Sequence, residues 1–326
     1  MGLKIIYGRA GSGKTEYCFQ EIQEKIKQGE KVYIITPEQF SFTAEKNLME
    51  VIETSAIMQA EVLTFARMAY RVFLEVGGRT EICLSDCGTN MLLYDVLDNE
   101  KNKLKFLGKS SKNVGIIHRL FTEFKKRQIN SQQVKEVIEK IDDRYLKEKL
   151  TDILQLQKAY ENKIPENYMD SADRLNKLAD KIPESTMFNN SIIYLDEFAG
   201  FTKQEYGIIE RLLKKAKQVN VTICTDKLEE NSNMETDLFY ANKITALRLI
   251  ELAKTNNIQI QKPVILGKNY RFKVPELAHL EKNIYRTERE IYSEEPHNIE
   301  LSIAMNPYAE IENVAKKITN LVREEN

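Results

Sequence analysis

Gly8 to Thr15 read Gly-Arg-Ala-Gly-Ser-Gly-Lys-Thr. This is the spacing G-x-x-x-x-G-K-T, whose chemistry is the holding of phosphate. Gly8, Gly11 and Gly13 let the chain turn tightly, so the backbone N–H groups of Gly8, Arg9, Ala10, Gly11, Ser12 and Gly13 can face phosphate oxygens. The N-terminus of a following helix adds its dipole. Lys14 is placed to reach β- and γ-phosphates, and Thr15 to hold Mg²⁺. The flanks fit: an apolar β-type run, Leu3 to Tyr7, leads in. A helical stretch from Lys14 leads out, with Phe19, Ile22 and Ile26 on one face. A glycine-rich turn with an incidental lysine is the competing reading, and these flanks disfavour it. The spacing therefore predicts a P-loop that binds a nucleoside triphosphate such as ATP.

Three further segments carry groups suited to the same chemistry. In SIIYLDEF (191–198) an apolar run ends in Asp196-Glu197. Asp196 would orient Mg²⁺ through water and Glu197 would activate a hydrolytic water; a strand end with a solvated acidic turn is the alternative. VNVTICTD ends in Thr225-Asp226, where a γ-phosphate sensor or a simple turn fits equally well. In NYRF (269–272), Arg271 is a permanently charged donor for the γ-phosphate and Tyr270 a platform for adenine. On spacing alone, an exposed Tyr-Arg loop is the stronger reading.

Positioning these groups requires strands that end beside one another. Strand-like runs occur at 3–7, 31–36, 61–65, 191–195, 219–224 and 263–266, separated by helical patterns. That alternation predicts an α/β fold, a RecA-like P-loop NTPase sheet of parallel strands. Residues 80–185 carry almost no strand signal. They read as helices at 87–99, 115–127, 132–140, 144–161 and 171–181, a large helical insertion. Breaks fall at Ile164-Pro165 and Ile182-Pro183, since the residue before proline avoids the α region. The expected organisation is a RecA-like domain from 1–79 and 186–297, the insertion at 80–185, and the start of a following domain at 298–326. That last piece reads as a strand at 299–304 and a helix at 309–323. The chain thus reads as a domain cut from something longer.

Net charge is −1 over 326 residues, so no global field drives binding to nucleic acid or membrane. A local basic run spans 101–127: Lys101, Lys103, Lys105, Lys109, Lys112, Arg119, Lys125, Lys126 and Arg127, with Glu123 its single acid. It is a candidate for phosphate contacts, or a solvated helical surface. Within it, His118 reads as a helix-face or core residue. Asp142-Asp143 reads as a solvated helix start. Cys18, Cys83, Cys87 and Cys224 read as buried reduced thiols; the C-x3-C pair has no second pair beside it to form a metal site. With no signal peptide or membrane span in the sequence, a cytoplasmic setting is expected.

Taken in order, GRAGSGKT, TPEQFSF (36–42), LTF (63–65), LDEF (195–198), CTD (224–226) and NYRF (269–272) resemble the first RecA-like domain of superfamily 1 helicases. Residues 80–185 would match their inserted 1B subdomain. TPEQFSFTAE, VLTFARMAYRVFLEVGG, YLDEFAGFTKQEYGIIERLL, ELAHLEKNIYR and NPYAEIENVAKKITNLV resemble more specifically the N-terminal third of the AddB family, one of the two components of bacterial AddAB helicase–nucleases. That resemblance implies processing of double-stranded DNA ends for recombinational repair beside an AddA-type partner. It places the nuclease centre and the iron–sulfur cysteines in the family's C-terminal part, so Cys83 and Cys87 are not cluster ligands. It also implies that single-stranded DNA crosses the top of the domain at Phe40, Phe42, Thr64 and Phe65, with Phe65 more simply a core residue; Lys125, Lys126 and Arg127 would add phosphate contacts. The pattern departs from active motors where Phe198-Ala199-Gly200 follows the acid pair, where Thr225-Asp226-Lys227-Leu228 stands, and where Ala66 replaces a histidine. The adenine-reading glutamine expected ahead of the P-loop has no room. ATP binding with feeble turnover is the expectation. A non-catalytic ATP-binding scaffold and a P-loop small-molecule kinase are the alternatives. Against the kinase stand the near-180-residue separation of the two motifs and the lack of an arginine-rich lid.

Overall fold

The structure is a computed structural model of the chain. It describes residues 1–51, 59–78, 82–107, 113–164, 168–169, 171–229, 236–286 and 288–324. Residues 1–268 and 269–326 form two compact units. The first begins β1 (Gly2–Gly8), α1 (Lys14–Lys27), β2 (Val32–Ile35), α2 (Ser41–Val51), β3 (Ala60–Leu63) and α3 (Phe65–Val76). Then come β4 (Ile82–Cys83), α4 (Asp86–Glu100), α5 (Val114–Lys126), α6 (Ser131–Lys140), α7 (Arg144–Lys163), β5 (Tyr168–Met169) and α8 (Ser171–Lys181). It closes with β6 (Ile192–Leu195), α9 (Lys203–Leu213), β7 (Gln218–Cys224), α10 (Tyr240–Thr255), β8 (Gln259–Ile260) and β9 (Val264–Ile265). The second unit holds α11 (Pro275–Asn283) and α12 (Pro307–Glu324).

Seven strands make one sheet in the order β3-β2-β6-β7-β1-β8, with β9 also on β1, and every pairing is parallel. Near-continuous apolar strands follow from burial on both faces. Side chains alternate across the sheet. Tyr33, Ile35, Ile193 and Leu195 pack on one face with α3, α8, α9 and α10. Val32, Ile34, Ile192 and Tyr194 pack on the other with α1 and α2. The fold is therefore α/β with a RecA-like parallel sheet and helical insertions. Ile35 is in register with both Leu63 and Leu195, and Gly8 with Cys224. The loops that leave these strand ends therefore share one edge.

Helices α4, α5 and α7 bury a core of their own around Leu93, Ile117, Phe121, Leu156 and Tyr160. Buried Asp152 accepts the backbone N–H groups of Lys105, Phe106 and Leu107 at 2.7–3.1 Å, closing the loop between α4 and α5. Leu178 and Ile182 around the end of α8 belong instead to the core beneath the sheet. The Glu75 carboxylate of α3 accepts from the Ser185 hydroxyl and from the N–H and hydroxyl of Thr186, tying α3 to the turn that leads into β6. These hydrogen bonds lower its pKa from 4.5 to about 2.

The five helices expected within 80–185 form, with ends shifted by a residue or two. α7 and α8 stop at Lys163 and Lys181, before the two X-Pro pairs. The strand expected to 65 ends at Leu63, because the Thr64 hydroxyl accepts from the Arg67 N–H and starts α3. Short β8 and the two-stranded β4–β5 pair were not legible as strands. The strand expected at 299–304 does not form. A strand exists only through a ladder to a neighbour, and Leu301 and Ile303 stand 90% and 94% exposed. The helix after it forms as α12.

Candidate functional site

The loop from β1 to α1 owes its shape to its glycines. Gly11 and Gly13 hold φ of 74° and 80°, the left-handed region that side chains resist. A Cβ on Gly8 would lie 2.4 Å from the Ser12 Oγ and from the Leu266 carbonyl oxygen. Within this turn, Lys14 Nζ donates to the carbonyls of Gly8 and Arg9 at 3.0 and 2.9 Å. Lys14 is half-buried, folded inward by those carbonyls. The Ser12 hydroxyl is buried without a partner. Arg9 lays its guanidinium over the Phe239 ring, 5.1 Å from the centroid.

β6 carries the acid pair to the same edge. Asp196 is buried, donates its N–H to the Ile35 carbonyl, and accepts the Thr222 hydroxyl of β7 on its carboxylate. Thr15 donates to Glu197 Oε1 at 3.2 Å, joining residues 182 positions apart. Glu197 holds φ 66°, a strained backbone for a residue with a side chain. Behind them, burial and then the Asp196 charge push the Cys18 thiol well up, leaving it protonated. The segment after Asp196-Glu197 is held by a chain of tilted and edge-on ring contacts: Phe65–Phe198 at 5.7 Å, Phe198–Phe201 at 4.9 Å and Phe201–Tyr206 at 5.6 Å.

Alongside lies a crevice of about 560 Å³ at the carboxyl ends of β2, β3 and β6, lined by Thr36, Thr64, Lys126, Arg174, Glu197 and Phe198. The Thr36 hydroxyl and the Arg174 Nε are buried and unpartnered. Thr64 is buried, and its hydroxyl donates to Glu38 as well as capping α3. Phe65 is a core residue, Phe40 is half-buried and Phe42 is exposed.

The basic run divides. Lys125 pairs with Asp173 at 2.7 Å in a separate cleft of about 850 Å³, whereas Lys126 lines the crevice. Arg127 is exposed and pairs with Glu123 at 3.3 Å. Lys109 and Lys112 lie outside the described residues. His118 is a helix-face residue whose Nδ1 meets Asn90 Oδ1 at 3.0 Å, and Asp143 caps α7. Cys18 is buried as expected, but Cys83 and Cys87 are exposed, because β4 and the first turn of α4 lie at the surface. No group of three or more His, Cys, Asp or Glu is arranged to hold a metal among the described residues.

At the end of β7, Asp226 meets Lys243 at 3.3 Å. Lys243 is buried and also meets Asp237 at 2.7 Å. Burial opposes its charge, yet these two carboxylates raise its pKa above the ordinary lysine value. Tyr270 and Arg271 belong to the second unit. There the Asn269 side chain accepts the N–H groups of Arg271 and Phe272 in a tight turn, with Tyr270 62% exposed. Sequence reasoning missed Thr222, Arg174 and Lys243. Only Thr222 had a signal: it and Asn220 are polar residues spaced by two within an otherwise apolar strand.

A parallel α/β sheet whose glycine loop, acid pair and insertion crevice share one edge defines a RecA-like protein. The sequence model of the family described as "ADDB, N-terminal" matches residues 5–281, and the chain belongs to that family. It is 42% identical over 99% of its length to the AddB protein of Clostridium tetani, a component of an ATP-dependent helicase/deoxyribonuclease. It is 39% and 41% identical to the AddB proteins of Clostridium acetobutylicum and Caldanaerobacter subterraneus, over its whole length. The chain spans 29% of the length of each of these relatives. No helix among the described residues is long and apolar enough to cross a membrane.

Proposed function

We propose that this chain is the ATP-binding part of a helicase–nuclease component that processes double-stranded DNA ends for recombinational repair in the cytoplasm, beside an AddA-type helicase partner. The observation that carries the nucleotide site is the Thr15–Glu197 hydrogen bond, which brings glycine loop and acid pair together. The residues suit Mg²⁺-ATP. The turn around Gly8 is too tight for a side chain, an ammonium already sits among its carbonyls, and the Ser12 hydroxyl waits for a partner. The N–H groups from Gly8 to Gly13 would cradle phosphate oxygens, and Lys14 would exchange carbonyls for them. Thr15 and Asp196 would hold Mg²⁺, Asp196 kept in place by Thr222. Bound Mg²⁺ would draw charge from the terminal phosphates. Glu197 would orient and deprotonate the attacking water.

The crevice beside Glu197 would take single-stranded DNA. Lys126, Arg174 and exposed Arg127 would meet phosphates, and Phe40 a base face. Thr64 would contribute shape, its hydroxyl being engaged.

A second reading, an ATP-binding scaffold without turnover, is favoured by Asp226: its pairing with Lys243 takes it from the sensor role a motor needs. One experiment addresses both. A fluorescent ATP analogue is titrated with Mg²⁺, with and without single-stranded DNA, while phosphate release is followed. Binding that Lys14→Ala abolishes supports the site; unchanged affinity in that variant refutes it. Release stimulated by DNA favours the motor, and binding without release the scaffold.

A further inference from the structure

The first turn of α10 fastens the glycine loop to the end of β7. Cys224 pairs in register with Gly8, and the Thr225 N–H donates to the Gly8 carbonyl at 3.3 Å. The Asn242 side chain donates to the Cys224 carbonyl at 2.6 Å. Asp237 accepts the Phe239 N–H at 2.9 Å on one oxygen and the Lys243 ammonium on the other. Lys243 reaches on to Asp226. Phe239, set by this network, lies beneath the Arg9 guanidinium. The distance is within cation–π range, and a planar guanidinium suits an aromatic face.

The charges on this edge differ in kind. Asp226 would repel a terminal phosphate, and Lys243, shared with Asp237, offsets only part of that charge. Arg9 is a permanent cation within the phosphate loop itself. An arginine side chain has many rotamers to lose on binding. A ring that already holds it removes part of that cost. We propose that Phe239 is a positioning residue that presents Arg9 to the third phosphate, so that this chain distinguishes a nucleoside triphosphate from a diphosphate through Arg9 rather than through Asp226. The inference rests on the nucleotide site proposed above.

The test titrates the 326-residue chain with fluorescent ATP and ADP analogues in Mg²⁺. Phe239→Leu is expected to weaken ATP about tenfold and leave ADP within about twofold, the scale of one lost guanidinium contact. Phe239→Tyr, which keeps the aromatic face, should restore the preference. Arg9→Gln should match Phe239→Leu, and the double variant should be no worse than Arg9→Gln, since the two act in series. Equal losses for ATP and ADP, an unchanged preference, or additive losses would each overturn the proposal. Thermal melting of each variant separates a folding defect from a binding one. If the unaltered chain binds neither analogue, the nucleotide site itself is refuted and this inference with it; binding that Lys14→Ala abolishes but Phe239→Leu leaves intact refutes the inference alone.

Discussion

Residues 192–195 and 299–304 both read as strands, the first a continuous apolar run and the second an apolar–polar alternation, yet one is β6 at the centre of the sheet and the other has no regular structure. Ile193 and Leu195 are 0% exposed, whereas Leu301 and Ile303 are almost wholly so. β6 has β2 on one side and β7 on the other. No ladder reaches 299–304 among the described residues. The apolar stripe of α12 likewise buries nothing, with Ile311, Val314 and Ile318 more than half exposed. An apolar pattern makes a segment eligible for a sheet; neighbours make it a strand. The same contrast separates the two halves of the expected nucleotide site. Asp196 is locked by Thr222 and Glu197 touches Thr15, while Tyr270 is largely exposed in the other unit.

Side-chain truncation should affect the two segments most unequally. Ile193→Ala should cost about 2–5 kcal/mol, from lost burial and the cavity left behind. Ile303→Ala should stay within about 0.5 kcal/mol. Urea unfolding of both variants measures the gap, and similar losses would mean that 299–304 is packed in solution. Thr222→Val should cost about 1–3 kcal/mol, because the buried Asp196 carboxylate loses its hydroxyl donor. If stability is retained, Asp196 has another source of satisfaction. Gly13→Ala should cost roughly 1–2 kcal/mol through its left-handed backbone, and the same method reads it; a neutral result would mean the loop relaxes to another shape.

The smallest effect is electrostatic and belongs to the turn before β6. The Glu75 pKa is depressed to about 2. Its contribution is therefore fully present above the ordinary value of 4.5 and is lost as pH falls through about 2. Glu75→Gln should lower the melting temperature above pH 4.5, and the difference from the unaltered chain should shrink as the pH falls and vanish only below about pH 2. A difference independent of pH would mean that the carboxylate's charge plays no part.

Much of the sheet was legible because its signals are local. Apolar runs, X-Pro pairs and the glycine spacing each act within a few residues. The acid pair was legible too, as an apolar run that stops at Asp196-Glu197. The partners of these groups were not. Thr222 meets Asp196 across 26 positions, and Lys243 reaches back to Asp226 and Asp237 from inside a helix where a lysine ordinarily faces water. The basic run at 101–127 could not be divided by composition, since which way Lys125 and Lys126 turn depends on where α5 meets α8 and the sheet edge.

By itself the sequence determined which segments can be helix or strand, where the chain must turn with positive φ, and which residues have the chemistry for phosphate and metal. Tertiary structure alone decided that Thr15 meets Glu197, that Asp226 shares Lys243 with Asp237, that Arg9 rests on Phe239, and that 299–304 finds no ladder among the described residues. The reason is range. Propensity and turn chemistry are fixed by neighbours in the chain, whereas ion pairs, ring contacts and strand ladders exist only once distant segments are packed together.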